Sequence, residues 1–375
     1  MSHIPAITGT GVFTPKQTIT NAELVKAFNA YADRMNLQNA DAIAAGEMSP
    51  MDHSSEEFIY KASGIEQRYV IDKSGILDPN IMHPLLHQRD DNAPSLMAEM
   101  GVDAAQKALD QAGRDAKDVD AVICAASNME RAYPAIAIEI QNLLGIQGFA
   151  FDMNVACSSA TFGIQAAADM IRSGSIRSAL VINPEICSAH LEWRDRDCHF
   201  IFGDVATATL IERAENAQSP YFEIKSTRCA TVFSNNIRNN NGFLRRARPD
   251  GVKDRRDMQF MQNGRKVFKE VVPMVSRHIS DHIADAGIAS SDLKRLWLHQ
   301  ANKSMNDFIG KKVLGRVPEP DEQPNILQDY ANTSSAGSII TFSKYSSDLQ
   351  DKDYGLICSF GAGYSVGSVL LQRHS

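Results

Sequence analysis

FDMNVACSSATFGIQAAADMI, residues 151–171, decides the reading of this chain. Phe151 to Val155 is a short apolar run with strand character. Thr161 to Ile171 carries Ala, Gln, Met and Ile without proline, which predicts a helix. Cys157 stands where the strand hands over to the helix. Free amides and the positive dipole end of a helix N-terminus favour a thiolate over a thiol, so a reactive sulfur is one use of this position. A buried cysteine filling a gap is the other. The segment alone leaves both open.

Working outward, 375 residues are enough for one large or two medium domains, and 43% hydrophobic with 22% charged residues is the make-up of a globular protein with a real core. A formal charge of -7 argues against a general nucleic-acid binder, so any basic partner site is local. No signal-like N-terminal segment and no apolar run near 18 residues is present, which reads as a cytoplasmic protein without membrane association. The six cysteines are scattered with no CxxC pair, so neither a disulfide framework nor a metal site is expected.

Upstream, Ile4 to Val12 reads as a strand, and Thr20 with Asn21 caps a helix over AELVKAF. Residues 33–57 and 73–95, rich in Met, Asp, Asn, Pro and His, show no sustained period and read as long excursions. Ser95 to Ala112 and Ala135 to Leu144 read as helices, and Val119 to Ala125, Ser178 to Asn183 and Phe202 to Ile211 as strands. Downstream come helices over Phe260 to Ala286, Lys303 to Leu314 and Asn332 to Ser346. Strands are read over Leu296 to His299, Tyr354 to Phe360 and Ser365 to Gln372. Such alternation predicts an α/β fold with a mostly parallel sheet.

The two halves carry a repeat: 33 residues separate Cys124 from Cys157, and 33 separate His299 from Asn332. ACSSA and NTSSA open the two helices. A duplicated βα unit packed about a pseudo-two-fold would bring Cys157, His299 and Asn332 together at strand ends, where open α/β sheets bind ligands.

Cys, His and Asn together serve thiol catalysis of two kinds. A papain-type hydrolase uses His as the base for Cys, but its CGSC signature is absent. A condensing enzyme acylates the Cys and lets His and Asn hold a thioester carbonyl as it becomes an enolate. The motifs NVACSSATFGI (154–164), IFGD (201–204), LHQAN (298–302), NTSSAGSI (332–339) and SFGAGYSVGS (359–368) resemble the thiolase-fold condensing enzymes, most closely β-ketoacyl-acyl-carrier-protein synthase III. The resemblance spans nearly the whole chain. It implies a thiolase-like fold of two duplicated βαβαβαββ halves, 1–212 and 213–375, stacked as a five-layer αβαβα sandwich.

The implied reaction is decarboxylative condensation of an acyl primer with malonyl-acyl-carrier protein to give a 3-oxoacyl-carrier, with no cofactor and no metal. Cys157 would be the nucleophile, His299 and Asn332 the pair that polarises the malonyl thioester, and the backbone N–H groups of Cys157 and Ala362 the oxyanion hole. Phe58 and Arg196 would sandwich the adenine of coenzyme A and Asn302 would contact pantetheine. Ala62 and Ser63 stand where the family often has arginine and threonine, with Lys61 as the neighbouring cation. Tyr133 matches an aromatic that ends the acyl pocket across a homodimer interface. Arg265, Lys266, Lys269, Lys303, Lys311 and Lys312 would dock the acidic acyl carrier protein; the Arg245, Arg246, Arg248 cluster reads as loop. The excursions would reshape the pocket or dimer rim and shift primer choice from acetyl towards medium chains. A specialised condensing enzyme or acyltransferase of secondary metabolism, and a silent thiolase-fold partner subunit, are the alternatives; the presence of all three catalytic residues counts against the latter.

Overall fold

The computed structural model describes residues 3–218, 220–240, 247 and 255–375, so the Arg245, Arg246, Arg248 cluster lies outside the described residues. The first half runs β1 (Pro5–Phe13), β2 (Gln17–Thr20), α1 (Asn21–Gln38), α2 (Ala40–Ala44), α3 (Glu56–Ser63), β3 (Gln67–Val70) and α4 (Leu96–Ala112). It continues through β4 (Ala121–Ala125), α5 (Ile136–Leu144), β5 (Phe149–Met153), α6 (Ser159–Arg172), β6 (Ser178–Ile186) and β7 (Asp204–Arg213). The second half has β8 (Tyr221–Ser234), β9 (Ile237–Arg238), β10 (Met261–Gln262), α7 (Gly264–Asp285), β11 (Leu293–Leu298) and α8 (Lys303–Leu314). It closes with α9 (Leu327–Tyr330), α10 (Gly337–Lys344), β12 (Tyr354–Gly361) and β13 (Gly363–His374).

Local chemistry sets several boundaries. Thr20 and Glu23 form a reciprocal capping box at the start of α1. Ser95 and Asn302 accept from backbone N–H groups at the starts of α4 and α8.

Nine strands join in the order β11-β12-β13-β8-β1-β7-β6-β4-β5. The order repeats about its middle. β4 is parallel to β6, which is antiparallel to β7, itself antiparallel to β1. β11, β12, β13 and β8 repeat that set of directions. The halves meet where Ala6 and Ile7 of β1 pair with Glu223 and Phe222 of β8.

Strand alternation sorts side chains to two buried faces. On β4, Val122 and Cys124 face α4 and α5, while Ala121, Ile123 and Ala125 face the middle of the molecule. There Ile164 and Ala168 of α6 and Ile339 and Phe342 of α10 share one core with Trp297 and Ile357 of the second half. α7 and α8 cover the far face through Val275, Ile279 and Ile309. The result is five layers of thiolase type, held by a central core in which each fully buried Ile or Leu contributes about 1.5–3 kcal/mol. Gly9 and Gly11 let α4 lie directly on β1, because a Cβ there would fall 2.1 and 1.9 Å from the Ala108 and Ala104 carbonyl oxygens.

Three features differ from the sequence reading. The sheet, expected to be mostly parallel, has five antiparallel pairings and three parallel ones, because β6, β7, β1 and β8 run alternately and β12 turns back on itself as β13. β8, fourteen residues long, has no clean alternation because the run Ala230 to Phe233 near its outer end is exposed. The excursions are packed structure: α1 and α2 extend into the first, and Ile76 and Met82 of the second are buried in a satellite core with Phe28, Ile59, Trp193 and Phe200.

Candidate active site

Cys157 lies in a single 3-10 turn, Ala156–Ser158, directly before α6, and the turn Ser334–Ala336 stands in the same way before α10. Ala156 and Ser334 open these turns with positive φ, 49° and 52°. The backbone thus aligns Ala156 with Ser334 and Cys157 with Ser335. The equal 33-residue spacing had aligned Cys157 with Asn332, three residues out of this register. Asn332 nevertheless lies at the site, because the extended segment before the second turn bridges Phe202 and brings it there.

The three residues line one cavity of about 520 Å³, together with Phe200, Phe202, Phe260, Phe268 and Phe360, a volume typical of small-ligand sites. Ser334 Oγ donates to Cys157 Sγ at 3.5 Å. The backbone N–H groups of Ala362 and of Cys157 also act on the sulfur, and both hold its pKa down. Gly361 makes this approach possible: a Cβ on it would sit 2.6 Å from the Cys157 Cβ and 3.1 Å from Sγ.

Burial nevertheless pushes the Cys157 thiol up to about 11, the Ser334 hydroxyl only partly offsetting it and the nearby Glu185 charge adding to it. The sequence reading expected the helix N-terminus to favour a thiolate. Desolvation outweighs that dipole here, and the resting group is a thiol. His299 follows β11, is buried, and packs edge-on to Phe360 at 5.1 Å between ring centroids. Burial lowers its pKa to about 4, with the Ser334 backbone opposing weakly, so the imidazole is neutral at physiological pH. Asn332 Oδ1 accepts the Ser334 N–H at 2.8 Å, which leaves its amide NH2 as the end able to donate to a ligand.

A half-buried thiol with two aimed N–H groups, beside a neutral imidazole and a fixed carboxamide, suits acyl transfer followed by enolate stabilisation. Residues 151–228 match the family description "3-Oxoacyl-[acyl-carrier-protein (ACP)] synthase III" and residues 283–373 match its C-terminal counterpart. A "Beta-ketodecanoyl-[acyl-carrier-protein] synthase" of Pseudomonas aeruginosa is 55% identical over 93% of this chain and 100% of its own length. The chain belongs to the 3-oxoacyl-[acyl-carrier-protein] synthase III family. A synthase III of Acidiphilium cryptum is 35% identical over 73% of this chain and 83% of its own length. The solved synthase III of Aquifex aeolicus matches the fold with a TM-score of 0.75 at 23% identity, covering 98% of this chain and 99% of that one. The protein is therefore a condensing acyltransferase of fatty acid biosynthesis. It joins an acyl primer to malonyl-acyl-carrier protein with loss of carbon dioxide.

Other residues singled out in this synthase fall in different places. Arg196 stacks on Phe58 at 4.0 Å from the ring centroid, and its Nε donates to the His53 carbonyl at 2.7 Å. The two side chains expected on opposite faces of an adenine thus occupy each other's faces, because Arg196 has an acceptor in the first excursion. Lys61 is turned outward to Glu57, while Ala62 and Ser63 line the cavity. Asn302 lines it too, but its side chain caps α8 and donates to the Ala62 carbonyl at 2.5 Å, joining α8 to α3.

Tyr133 is 85% exposed and lines no part of the 520 Å³ cavity of its own chain. Arg265, Lys266 and Lys269 stand exposed in the first turns of α7, with Arg265 at the cavity wall. Lys303 opens α8 and pairs with Asp307; Lys311 and Lys312 lie in its last turn, about 12 Å further along at 1.5 Å per residue. No residue of 33–57 or 73–95 lines the cavity; these segments pack behind the wall formed by Phe200 to Phe202. Sequence reasoning missed Glu185, a carboxylate at the inner end of β6. A lone acid inside the run SALVINPEI was its signal.

Proposed function

We propose that condensation begins at Cys157. Its sulfur adds to the primer thioester, the S–H proton leaves with the departing thiol, and the N–H groups of Cys157 and Ala362 hold the carbonyl oxygen as it becomes anionic. The malonyl thioester then enters, its carbonyl held by the neutral imidazole of His299 and the Asn332 amide. Loss of carbon dioxide leaves an enolate on that oxygen. Its carbon attacks the acyl-Cys157, the C–S bond breaks, and the departing thiolate takes a proton from solvent to restore the thiol as the 3-oxoacyl-carrier leaves. The observation that carries this reading is the convergence of Cys157, His299 and Asn332 on one phenylalanine-walled cavity.

The primer is an eight-carbon acyl group, supported by the relative whose printed name specifies a ketodecanoyl product, two carbons longer. Coenzyme A and acyl carrier protein deliver the two thioesters. The carrier approaches over Arg265, Lys266, Lys269, Lys311 and Lys312, where an acidic partner meets a basic patch on an otherwise acidic protein. With nucleotide bound, Arg196 releases Phe58 and the two receive the base. Two copies pair at the open edge strand β5, with each exposed Tyr133 reaching the partner's pocket. The enzyme works in the cytoplasm; among the described residues no helix is long and apolar enough to cross a membrane.

The test is product analysis with malonyl-acyl-carrier protein and acyl-CoA primers of two to twelve carbons. The expected main product is 3-oxodecanoyl-acyl-carrier protein, formed from octanoyl-CoA. A preference for acetyl-CoA would remove the medium-chain assignment, and absence of any 3-oxoacyl product would remove the reaction.

A further inference from the structure

Glu185 is the penultimate residue of β6, with its side chain buried between the two halves. Its oxygens receive the Ser127 N–H at 2.9 Å and the Ser127 hydroxyl at 2.5 Å from the first half. From the second half they receive the Ser335 N–H at 3.2 Å and the Ser335 hydroxyl at 2.5 Å. Cys187 Sγ lies 3.8 Å away as a weak fifth donor. Two backbone N–H groups can only donate, and the hydroxyls are oriented as donors, which is the environment of an ionised carboxylate despite the burial that raises its pKa.

The contacts continue to both turns. The Ser127 carbonyl accepts from Asn154 Nδ2 at 2.8 Å, and Asn154 Oδ1 accepts from the Ala156 N–H at 2.9 Å. Ala156 is the positive-φ residue directly before Cys157. On the other side Ser335 is the middle residue of the second turn, next to Ser334, whose hydroxyl reaches Cys157 Sγ. One buried carboxylate is therefore tied to the backbone that aims the sulfur and to the backbone that supplies Ser334 and fixes Asn332.

We propose that Glu185 is a positioning residue for the condensation: its carboxylate clamps the Cys157 turn and the Asn332 turn to each other. The proposal rests on the reading of Cys157 as nucleophile. It explains why a buried charge is retained where an apolar residue would pack at no solvation cost, since truncating one group of such a network strands the others. The titratable groups facing the sulfur are Glu185 from β6, Cys187 beyond it and His299 beyond β11; burial is the main cause that raises the sulfur, and the Glu185 carboxylate adds to it.

The experiment compares the parent enzyme with Glu185→Gln and Glu185→Asp. The rate of Cys157 alkylation by iodoacetamide is followed against pH, and primer transfer is measured as kcat and KM separately. Glu185→Gln should move the alkylation midpoint down by about half a pH unit or more and lower kcat about tenfold or more with KM little changed. Glu185→Asp keeps the charge on a shorter stem, so the midpoint should return while kcat stays low. A Glu185→Gln enzyme with the parent's midpoint and kcat overturns the proposal. If Glu185→Gln does not fold, Ser335→Ala and Ser127→Ala each remove one tie and keep the charge. Each should lower kcat severalfold at the parent's midpoint, and parental kcat in both overturns the clamp. A parent enzyme that takes no acyl group on Cys157 removes the nucleophile reading first, and this proposal with it.

Discussion

The two turns that open α6 and α10 share a backbone and differ in use. Both begin with a positive-φ residue, Ala156 or Ser334, and both feed a helix of the central layer. The first leaves Cys157 half-buried at the wall of the cavity; the second buries Ser335 completely and turns it towards Glu185. Duplication thus supplied two equivalent turns; one presents Cys157, the proposed nucleophile, and the other anchors on Glu185 through Ser335. On the proposed reading Cys157 of the first half carries the acyl group, with Ala362 of the second half lending one oxyanion donor, and His299 and Asn332 of the second half hold the second thioester.

That division of labour predicts separable defects. His299→Ala and Asn332→Ala should each lower malonyl decarboxylation about 10²–10³-fold, the range for losing one preorganised donor. Both should still take an acyl group on Cys157; loss of acylation in either would show that the halves do not act separately. Gly361→Ala should do the reverse. Its new Cβ, 2.6 Å from the Cys157 Cβ, displaces the nucleophile, so acylation should fall about tenfold or more, read as the rate of adduct formation, while the protein stays folded.

Both halves carry buried histidines that respond to acid. His190 and His199 in the first, and His278, His282 and His299 in the second, are buried with pKa values lowered to between about 3 and about 4. Below pH 6.5 the unfolded chain binds protons that these folded histidines refuse, so stability should fall as pH drops from 6.5 towards 4. Asp204, raised by burial to about 6, and Glu185, also raised, act with the opposite sign. Asp152 is raised by burial as well; among the described residues five histidines against these three carboxyls still leave a net loss, and Tm should be lower at pH 5 than at pH 7. An equal or higher Tm at pH 5 would reverse that balance.

The smallest expected effect is at the surface. Lys311→Glu with Lys312→Glu should raise KM for malonyl-acyl-carrier protein by about three- to tenfold at low salt, less at high salt, with no change for a carrier-free thioester. An unchanged KM would move carrier docking off the end of α8.

Much of this was legible in the chain because the relevant signals are local. The cap at Thr20 marks the start of α1, and Cys157, His299 and Asn332 each stand in a distinctive short motif. What was not legible depends on burial and partners. The thiol at Cys157 reads as activated from its place before a helix, yet it is desolvated by walls that arrive from distant segments. Phe58 and Arg196 read as a nucleotide sandwich, but His53, distant in sequence from Arg196, holds the arginine on the ring. The second excursion lacks periodicity because it follows an irregular path, burying Ile76 and Met82 without a regular element. Glu185 draws no notice until both halves are folded around it.

The most direct test of the central claim is intact-protein mass measurement after mixing the enzyme with octanoyl-CoA. The expected result is a single octanoyl adduct that is absent in Cys157→Ala and is discharged by malonyl-acyl-carrier protein in the parent enzyme but not in His299→Ala. An adduct that persists in Cys157→Ala, or one that malonyl-acyl-carrier protein discharges equally well without His299, would contradict the assignment of one half to the nucleophile and the other to the enolate.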